Sequence, residues 1–416
     1  MKTRMFFRFL LATLLVLAVC EAKAHASDPV VTVNCAKPGH TITKVLNQYQ
    51  LGPNPLTITV EGTCNENVLI ARNNVTLIAS PSGGTVIGAN ANEDTITVTA
   101  GAVGTVIDGL TVENGTVPGG WNGITVLGSA TIQNCTVQNA NRSGIFFYHG
   151  GQGTVDTCTV QNNGSFGIII EGASATVTNS TISLNSLVGI HVTNSSSARI
   201  GVTLQPAYAG NTIRNNGGSG ILVSDSSSAF IGGNTITGNG TNLSSTFGQF
   251  GIFIVRASAE VVGYNSITGN SGSGVFAVGS SVAFGNQAFG LPTTGASANV
   301  ISGNGATGSN NGGILGFLGS SLYIQSATIQ TNTGDGVILS TRSTATMFSD
   351  TVSGNTGNGI SLWWGGALLL QDPAVTVTGN ASWGLQCTGS TSGYLGDNSG
   401  ITGNTAGNVS SSCTGF

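Results

Sequence analysis

The chain has 416 residues, 64 of them glycine, with 7% charged residues and a formal charge of −4 at pH 7. The glycines follow no Gly-X-Y rule, which excludes collagen. An acidic balance with isolated basic residues argues against nucleic acid or anionic lipid as a partner.

Residues 1–26 have the build of a secretory signal. Lys2, Arg4 and Arg8 form a basic region, Phe9 to Val19 an apolar stretch, and Ala24-His25-Ala26 a small-residue cleavage site. Eleven apolar residues are too few for a membrane span, so no span is expected in the mature chain. A lipid anchor at Cys20 is the weaker alternative, because Val19 before it is bulky. Removing the signal takes four of twelve Lys/Arg and one of sixteen Asp/Glu, leaving eight against fifteen and a formal charge of −7. Export to a periplasmic or extracellular location is expected.

Residues 27–55 form the next unit. Ile42, Val45, Leu46 and Tyr49 have helical spacing. A short helix there would cap the first repeat and shield its open strand edge.

From residue 56 to 405 the chain repeats. Eleven glycines, Gly123, Gly144, Gly167, Gly189, Gly220, Gly251, Gly274, Gly313, Gly336, Gly359 and Gly384, each precede an aliphatic residue that opens a short apolar run. Seven of the ten intervals are 21 to 25 residues, and the others are 31, 31 and 39. A period near 23 with short strands implies a solenoid of stacked coils. After each glycine strand come a Ser/Thr/Ala-rich bend, a second strand such as Ser228 to Ile231, and a third such as Asn234 to Thr237. Ten of the third-strand anchors are followed, three residues on, by asparagine: Asn163, Asn185, Asn216, Asn239, Asn270, Asn304, Asn332, Asn355, Asn380 and Asn404. Alternating Ile and Val should fill the bore. Asparagine should turn the corner in a left-handed conformation and hydrogen-bond to its neighbours in adjacent coils. Glycine should supply a backbone angle that other residues resist. Residues 406–416 form a Ser/Gly-rich tail that should close the far end.

Without Cys20, six cysteines remain in three local pairs: Cys35 with Cys64, Cys135 with Cys158, and Cys387 with Cys413. The middle pair is 23 residues apart, one coil, and should stack directly. An even count in an exported chain reads as three disulfides. A metal site is not expected, since there is no CxxC, and nothing calls for a cofactor.

This pattern resembles the right-handed parallel β-helix repeats of the pectin-lyase-like superfamily, over roughly residues 56 to 405. The resemblance implies an all-β, single-stranded right-handed parallel β-helix of about 14 coils, a rod of roughly 65 Å, with a short N-terminal capping helix. It does not carry over an active site. The Asn-Thr-Asp, Asp-Asp and Gly-His-Gly motifs of polygalacturonases are absent. So is the Asp-Pro-His of alginate epimerases, since Asp28-Pro29-Val30 and Asp372-Pro373-Ala374 lack the histidine. The calcium-binding carboxylate cluster of pectate lyases has no counterpart either, and fold alone does not license a reaction.

Two outward columns then bear on function. Two places after each glycine stand Thr125, Phe146, Ile169, His191, Leu222, Phe253, Phe276, Leu315, Ile338 and Ser361, an apolar stripe that reads as a binding groove or as a face covered by the long inserts before Gly220, Gly251 and Gly313. Four and five places after it stand Tyr148 and His149, Glu171, Thr193 and Asn194, Ser224 and Asp225, and Arg256. Adjacent coils should bring His149, Glu171 and His191 within about 5 to 10 Å. Glu171 or a histidine could then act as base and Arg256 could stabilise an anion. Tyr148, Asp225, Phe253, Trp363 and Trp364 are candidate ligand-binding residues, the two tryptophans also being candidates for burial under the C-terminal segment. Two functions follow: a non-catalytic surface or matrix protein that binds glycans or partners along its rod, and a polysaccharide-acting lyase, epimerase or hydrolase using the Tyr148–Arg256 patch. Polysaccharide is the partner either reading favours. No signal bears on oligomeric state.

Overall fold

The computed structural model of the chain describes residues 28–52, 55–90, 92–114, 121–201, 210–285, 299–306, 311–371, 375–389 and 392–415. The expected signal at 1–26, with Cys20, lies outside the described residues. Each strand pairs in parallel and in register with its counterpart one coil away. Ile145 lies opposite Ile168, Ile168 opposite Ile190, and Ile190 opposite Ile221. The strands that follow the eleven repeat glycines belong to a sheet of 14, which Val68–Ile70, Ile96–Val98 and Gly407–Val409 complete. Strands such as Ser174–Thr178 and Ser197–Gly201 form a second sheet, and Thr159–Gln161 and Thr181–Ser183 belong to a third. The second and third merge at the N-terminal end through two long strands, Leu56–Asn65 and Val75–Gly88. The chain is therefore an all-β parallel solenoid of about 14 turns.

Inward residues alternate along every strand. Ile168 and Ile170, Ile190 and Val192, Ile221 and Val223, and Ile252 and Ile254 are fully buried, as the period-two pattern requires. One short helix, Ile42–Gln48, packs on the first coils with Ile42, Val45 and Leu46 buried. Its first turn is held by the Glu66 carboxylate, which accepts from Ile42 N at 2.8 Å and Thr43 N at 2.9 Å. The pairing runs on past residue 405, where Gly407–Val409 adds to Trp383–Thr388.

The asparagines form the expected ladder. Asn185 shows its logic: Nδ2 donates to Asn216 Oδ1 at 2.9 Å and to Val160 O at 3.2 Å, while Oδ1 accepts from Asn163 N at 3.2 Å and Asn163 Nδ2 at 2.8 Å. All four hydrogen-bonding positions of a buried amide are used. The corner itself is turned by the residue before. Asn162, Leu184, Asn215, Gly238 and Gly269 have φ between 54° and 62° and the ladder asparagines have no positive φ, which corrects the expectation that they turn the corner.

The repeat glycines are also explained differently from the sequence reading. None has a positive φ. A Cβ on Gly167 would meet Gly189 O and Ile182 Cγ2 at 2.6 Å, and one on Gly220 would meet Ile236 Cγ2 at 2.7 Å and Gly251 O at 2.8 Å. Glycine is required there because coils approach too closely for a side chain, not because of backbone angle.

Two of the three expected disulfides form, Cys35–Cys64 and Cys387–Cys413. Cys135 and Cys158 are buried free thiols, which corrects the third. They precede in-register strands, Thr136 lying opposite Thr159. Stacking of that kind points both Cα–Cβ bonds the same way, whereas a disulfide needs its sulfurs turned toward each other about a dihedral near 90°. Each thiol instead bonds carbonyls: Cys135 Sγ reaches Gln133 O at 3.1 Å and Ile107 O at 3.4 Å, and Cys158 Sγ reaches Asp156 O at 3.2 Å. The two cysteines start a second ladder that continues through Ser180, Asn211, Asn234, Asn265 and Asn299, linked by Cys158 N to Ser180 Oγ at 3.0 Å and Ser180 N to Asn211 Oδ1 at 3.0 Å. Further along the same corner Asp350 accepts from Ala327 N at 2.8 Å and Phe348 N at 2.9 Å. It is 1% exposed, and burial pushes its carboxyl up to about 7.

Candidate functional site

The sheet of 14 strands carries both outward columns, and the corner that follows it separates them. The residue five places after a repeat glycine has a positive φ in coil after coil: His149, Gly172, Asn194, Asp225, Arg256, Leu318, Thr341 and Trp364 among them. His149 therefore leaves the strand at the corner and is exposed, its ring 3.8 Å from that of Tyr148. Glu171, one place earlier in its coil, stays on the strand, opposite Tyr148.

His191 is only 7% exposed. The insert before Gly251 covers it, with Phe247 edge-on to Phe166 at 5.1 Å and both rings packed near the imidazole, Phe166 at 5.2 Å and Phe247 at 6.0 Å. Burial lowers its pKa to about 4 against a weaker opposing pull from Asp225, so the ring is neutral near pH 7. Its Nε2 lies 3.1 Å from Ser224 Oγ and its Nδ1 is buried without a partner. Ser224 and Thr193 both bond Asp225 Oδ2, at 3.0 and 3.1 Å, and Asp225 Oδ1 holds Arg256 Nη2 at 2.8 Å. The Arg256 hydrogen bond, ahead of those from Ser224 and Thr193, holds the Asp225 carboxyl below the usual range. That ion pair is solvent-exposed, 72% and 50%, and so is worth little to stability.

His149, Glu171 and His191 thus do not open into one cleft, because the left-handed corner turns the first outward and the insert seals the third. Arg256 is paired with Asp225. The same insert covers more of the apolar column: Phe250 packs 5.1 Å from Phe253 and 4.7 Å from Phe276, and those two stack at 5.3 Å. The inserts before Gly220 and Gly313 lie largely outside the described residues. Among the described residues the C-terminal segment leaves Trp364 uncovered. Trp364 is 66% exposed, and Trp363, half-buried, crosses it edge-on at 6.3 Å.

What the fold does assemble is a groove of about 620 Å³ on the N-terminal side of the Phe166–Phe247 wall. Phe146, Tyr148 and Ile169 form its floor, with the Tyr148 ring 4.7 Å from that of Phe146. Glu171 lines one edge. Trp121, 42% exposed, stands at the other with the Arg142 guanidinium 5.1 Å over its ring. Asp94 is fixed beside them, since its Oδ1 accepts from Asn122 N at 2.9 Å and Asn122 Nδ2 at 3.0 Å. Exposed aromatic faces beside carboxylates and a guanidinium suit a ligand with apolar faces and many hydroxyls. Tyr148 and Glu171 were legible in the columns, whereas Asp94, Trp121, Arg142 and Phe166 were missed. The last three sit one or two places before a repeat glycine, and counting backward from it, as well as forward, would have found them.

The family described as "Right handed beta helix region" matches residues 122–289 and 283–382. No curated protein matches the chain. Among solved structures, the mannuronan C-5 epimerase AlgE6 A-module of Azotobacter vinelandii is similar at 16% identity and a TM-score of 0.45, over 84% of this chain and 94% of that one. The periplasmic alginate epimerase AlgG is similar at 14% identity and 0.40, over 86% and 76%, and pectate lyase Pel9A at 12% and 0.39, over 72% and 78%. At such identities and scores no activity is carried across. No helix among the described residues is long and apolar enough to cross a membrane. With coil after coil in register and the family matched over most of its length, the chain belongs to the right-handed beta helix family.

Proposed function

We propose that this protein is an exported, non-catalytic β-helix that binds a glycan in the groove between Trp121 and Phe166. The groove carries the reading: sugar rings stack on aromatic faces such as Trp121 and Tyr148, while carboxylates and a guanidinium take their hydroxyls. Disulfides at both ends of the solenoid favour an oxidising compartment, in keeping with the signal-like residues 1–26.

Binding of labelled oligosaccharides by the chain without residues 1–26, compared with its Trp121→Ala and Tyr148→Ala variants, tests the reading. Affinity should fall about tenfold in each, the loss of one stacking contact of about 1.4 kcal/mol. Equal affinity in both variants would sink it. A polysaccharide-acting enzyme is the second reading, favoured by the two carboxylates, Asp94 and Glu171, that line one groove. Product release from a polysaccharide panel, abolished in Glu171→Gln, would decide for it over simple binding.

A further inference from the structure

We propose that the groove selects an uncharged glycan chain laid along the solenoid axis and rejects polyuronates. The proposal rests on the glycan reading above and adds the substrate class.

The groove is longer than its main hollow. A second hollow of about 340 Å³, on the coils toward the N-terminus, shares Asp94 and Trp121 with the first. The two form one track with Trp121 as the ridge between them. Under it the strands Val68–Ile70, Ile96–Val98, Ile124–Val126, Ile145–Tyr148 and Ile168–Glu171 stack in parallel register. Five strands at about 4.8 Å span about 19 Å. A pyranose unit in an extended chain advances by a similar step, so a linear glycan can place one ring over each coil. The track is closed at its far end, where Phe166 meets Phe247.

Charge then decides between glycan classes. Glu93, Asp94 and Glu171 line the two hollows, and Arg142 is their one cation. Its guanidinium stacks on Trp121 and forms no ion pair among the described residues. Vicinal hydroxyls of a neutral sugar donate to carboxylates at little electrostatic cost. A uronate on every ring would instead set successive negative charges against three fixed ones, with a single cation to offset them. Discrimination of this kind comes from the repulsive element as much as from the attractive one.

The test is isothermal titration calorimetry on the chain without residues 1–26, in EDTA and again with calcium. The ligands are cellohexaose, mannohexaose and laminarihexaose against hexagalacturonate and hexaguluronate. At least one neutral hexaose should bind about tenfold or more tightly than either uronate. Glu93→Gln combined with Glu171→Gln should narrow that ratio about tenfold, chiefly by raising uronate affinity. Trp121→Tyr, which keeps a ring, should retain neutral binding that Trp121→Ala loses, and each variant is checked for an unchanged melting temperature. Uronates bound as tightly as the neutral hexaoses, with or without calcium, would overturn the proposal and leave the glycan reading standing. So would a ratio unmoved by the double substitution. Absence of binding to both classes would overturn both.

Discussion

Asp350 and His191 make a testable pair because burial shifts them in opposite directions. Asp350 titrates near 7 in the fold against 3.8 in a free chain, and His191 near 4 against 6.5. One proton held by one state and not the other changes stability by about 1.4 kcal/mol per pH unit. Between pH 4 and 7 the folded chain keeps the extra proton on Asp350, so its contribution is full at low pH and falls by about 4 kcal/mol as pH rises through the folded value. Between pH 4 and 6.5 the unfolded chain keeps the extra proton on His191. That contribution is full above 6.5 and is lost, by about 3 kcal/mol, as pH falls to 4. The two slopes cancel over most of the window, so the wild-type chain should show a nearly flat profile from pH 4 to 6.5. Asp350→Asn removes the falling limb and exposes the other: the variant should gain about 3 kcal/mol on going from pH 4 to 6.5. The carboxyls of Asp156 and Asp225 lie below their usual range and act below pH 4, outside the window. Urea unfolding at half-unit pH steps reads the profile. A solenoid is stabilised by nearest-neighbour coils, so hydrogen exchange at the Ala327 and Phe348 amides supplies a local check. An Asp350→Asn profile parallel to wild type would refute the assignment of the slopes to these two groups.

Four further outcomes follow from the coil geometry. Gly220→Ala should cost about 3 kcal/mol or more by overpacking, since its Cβ would meet a neighbouring carbonyl at 2.8 Å; a melting temperature within a degree or two of wild type would contradict this. Asn239→Ala should cost about 2 to 4 kcal/mol in a denaturant titration, because it leaves Asn216 N unpaired in the interior and breaks the amide ladder between Asn216 and Asn270. Cys135 and Cys158 should resist a thiol reagent in the native chain without residues 1–26 and release two thiols in denaturant. The hydrogen bond with Cys158, and after it burial, push the Cys135 thiol up, and a count of zero in denaturant would mean that a third disulfide exists. Cys135→Ser should be tolerated within about 1 kcal/mol, as Ser180 already occupies the same corner.

Much of the fold could be read because every coil repeats one local solution. The in-phase Ile and Val of Gly167–Ile170 or Gly220–Val223 lead directly to the bore, and the asparagine three places after each anchor leads to the ladder. The reasons assigned to the recurring residues were less secure. Glycine and asparagine are both known for left-handed backbone, yet Gly167 and Asn163 have other tasks, close approach and amide pairing. Their dihedrals depend on neighbours in adjacent coils that one repeat does not show. The cysteines illustrate the same limit. A one-coil interval placed Cys135 beside Cys158, but only the parallel direction of their Cβ bonds decided that they hydrogen-bond to carbonyls instead of to each other covalently.

By itself the sequence determined the strand register, the inward columns and the amide ladder, since each follows from a period that a stacked coil must keep. The tertiary structure alone decided which outward residues meet. Trp121, Arg142 and Phe166 project from the turn before the strand, and His191 is covered by an insert of irregular length. The first three keep the phase of the repeat but belong to its turn and not to its strand, whereas the insert departs from the period. The groove was settled by which turn and strand residues of neighbouring coils meet, and by where the insert packs to close it, neither of which a single repeat shows.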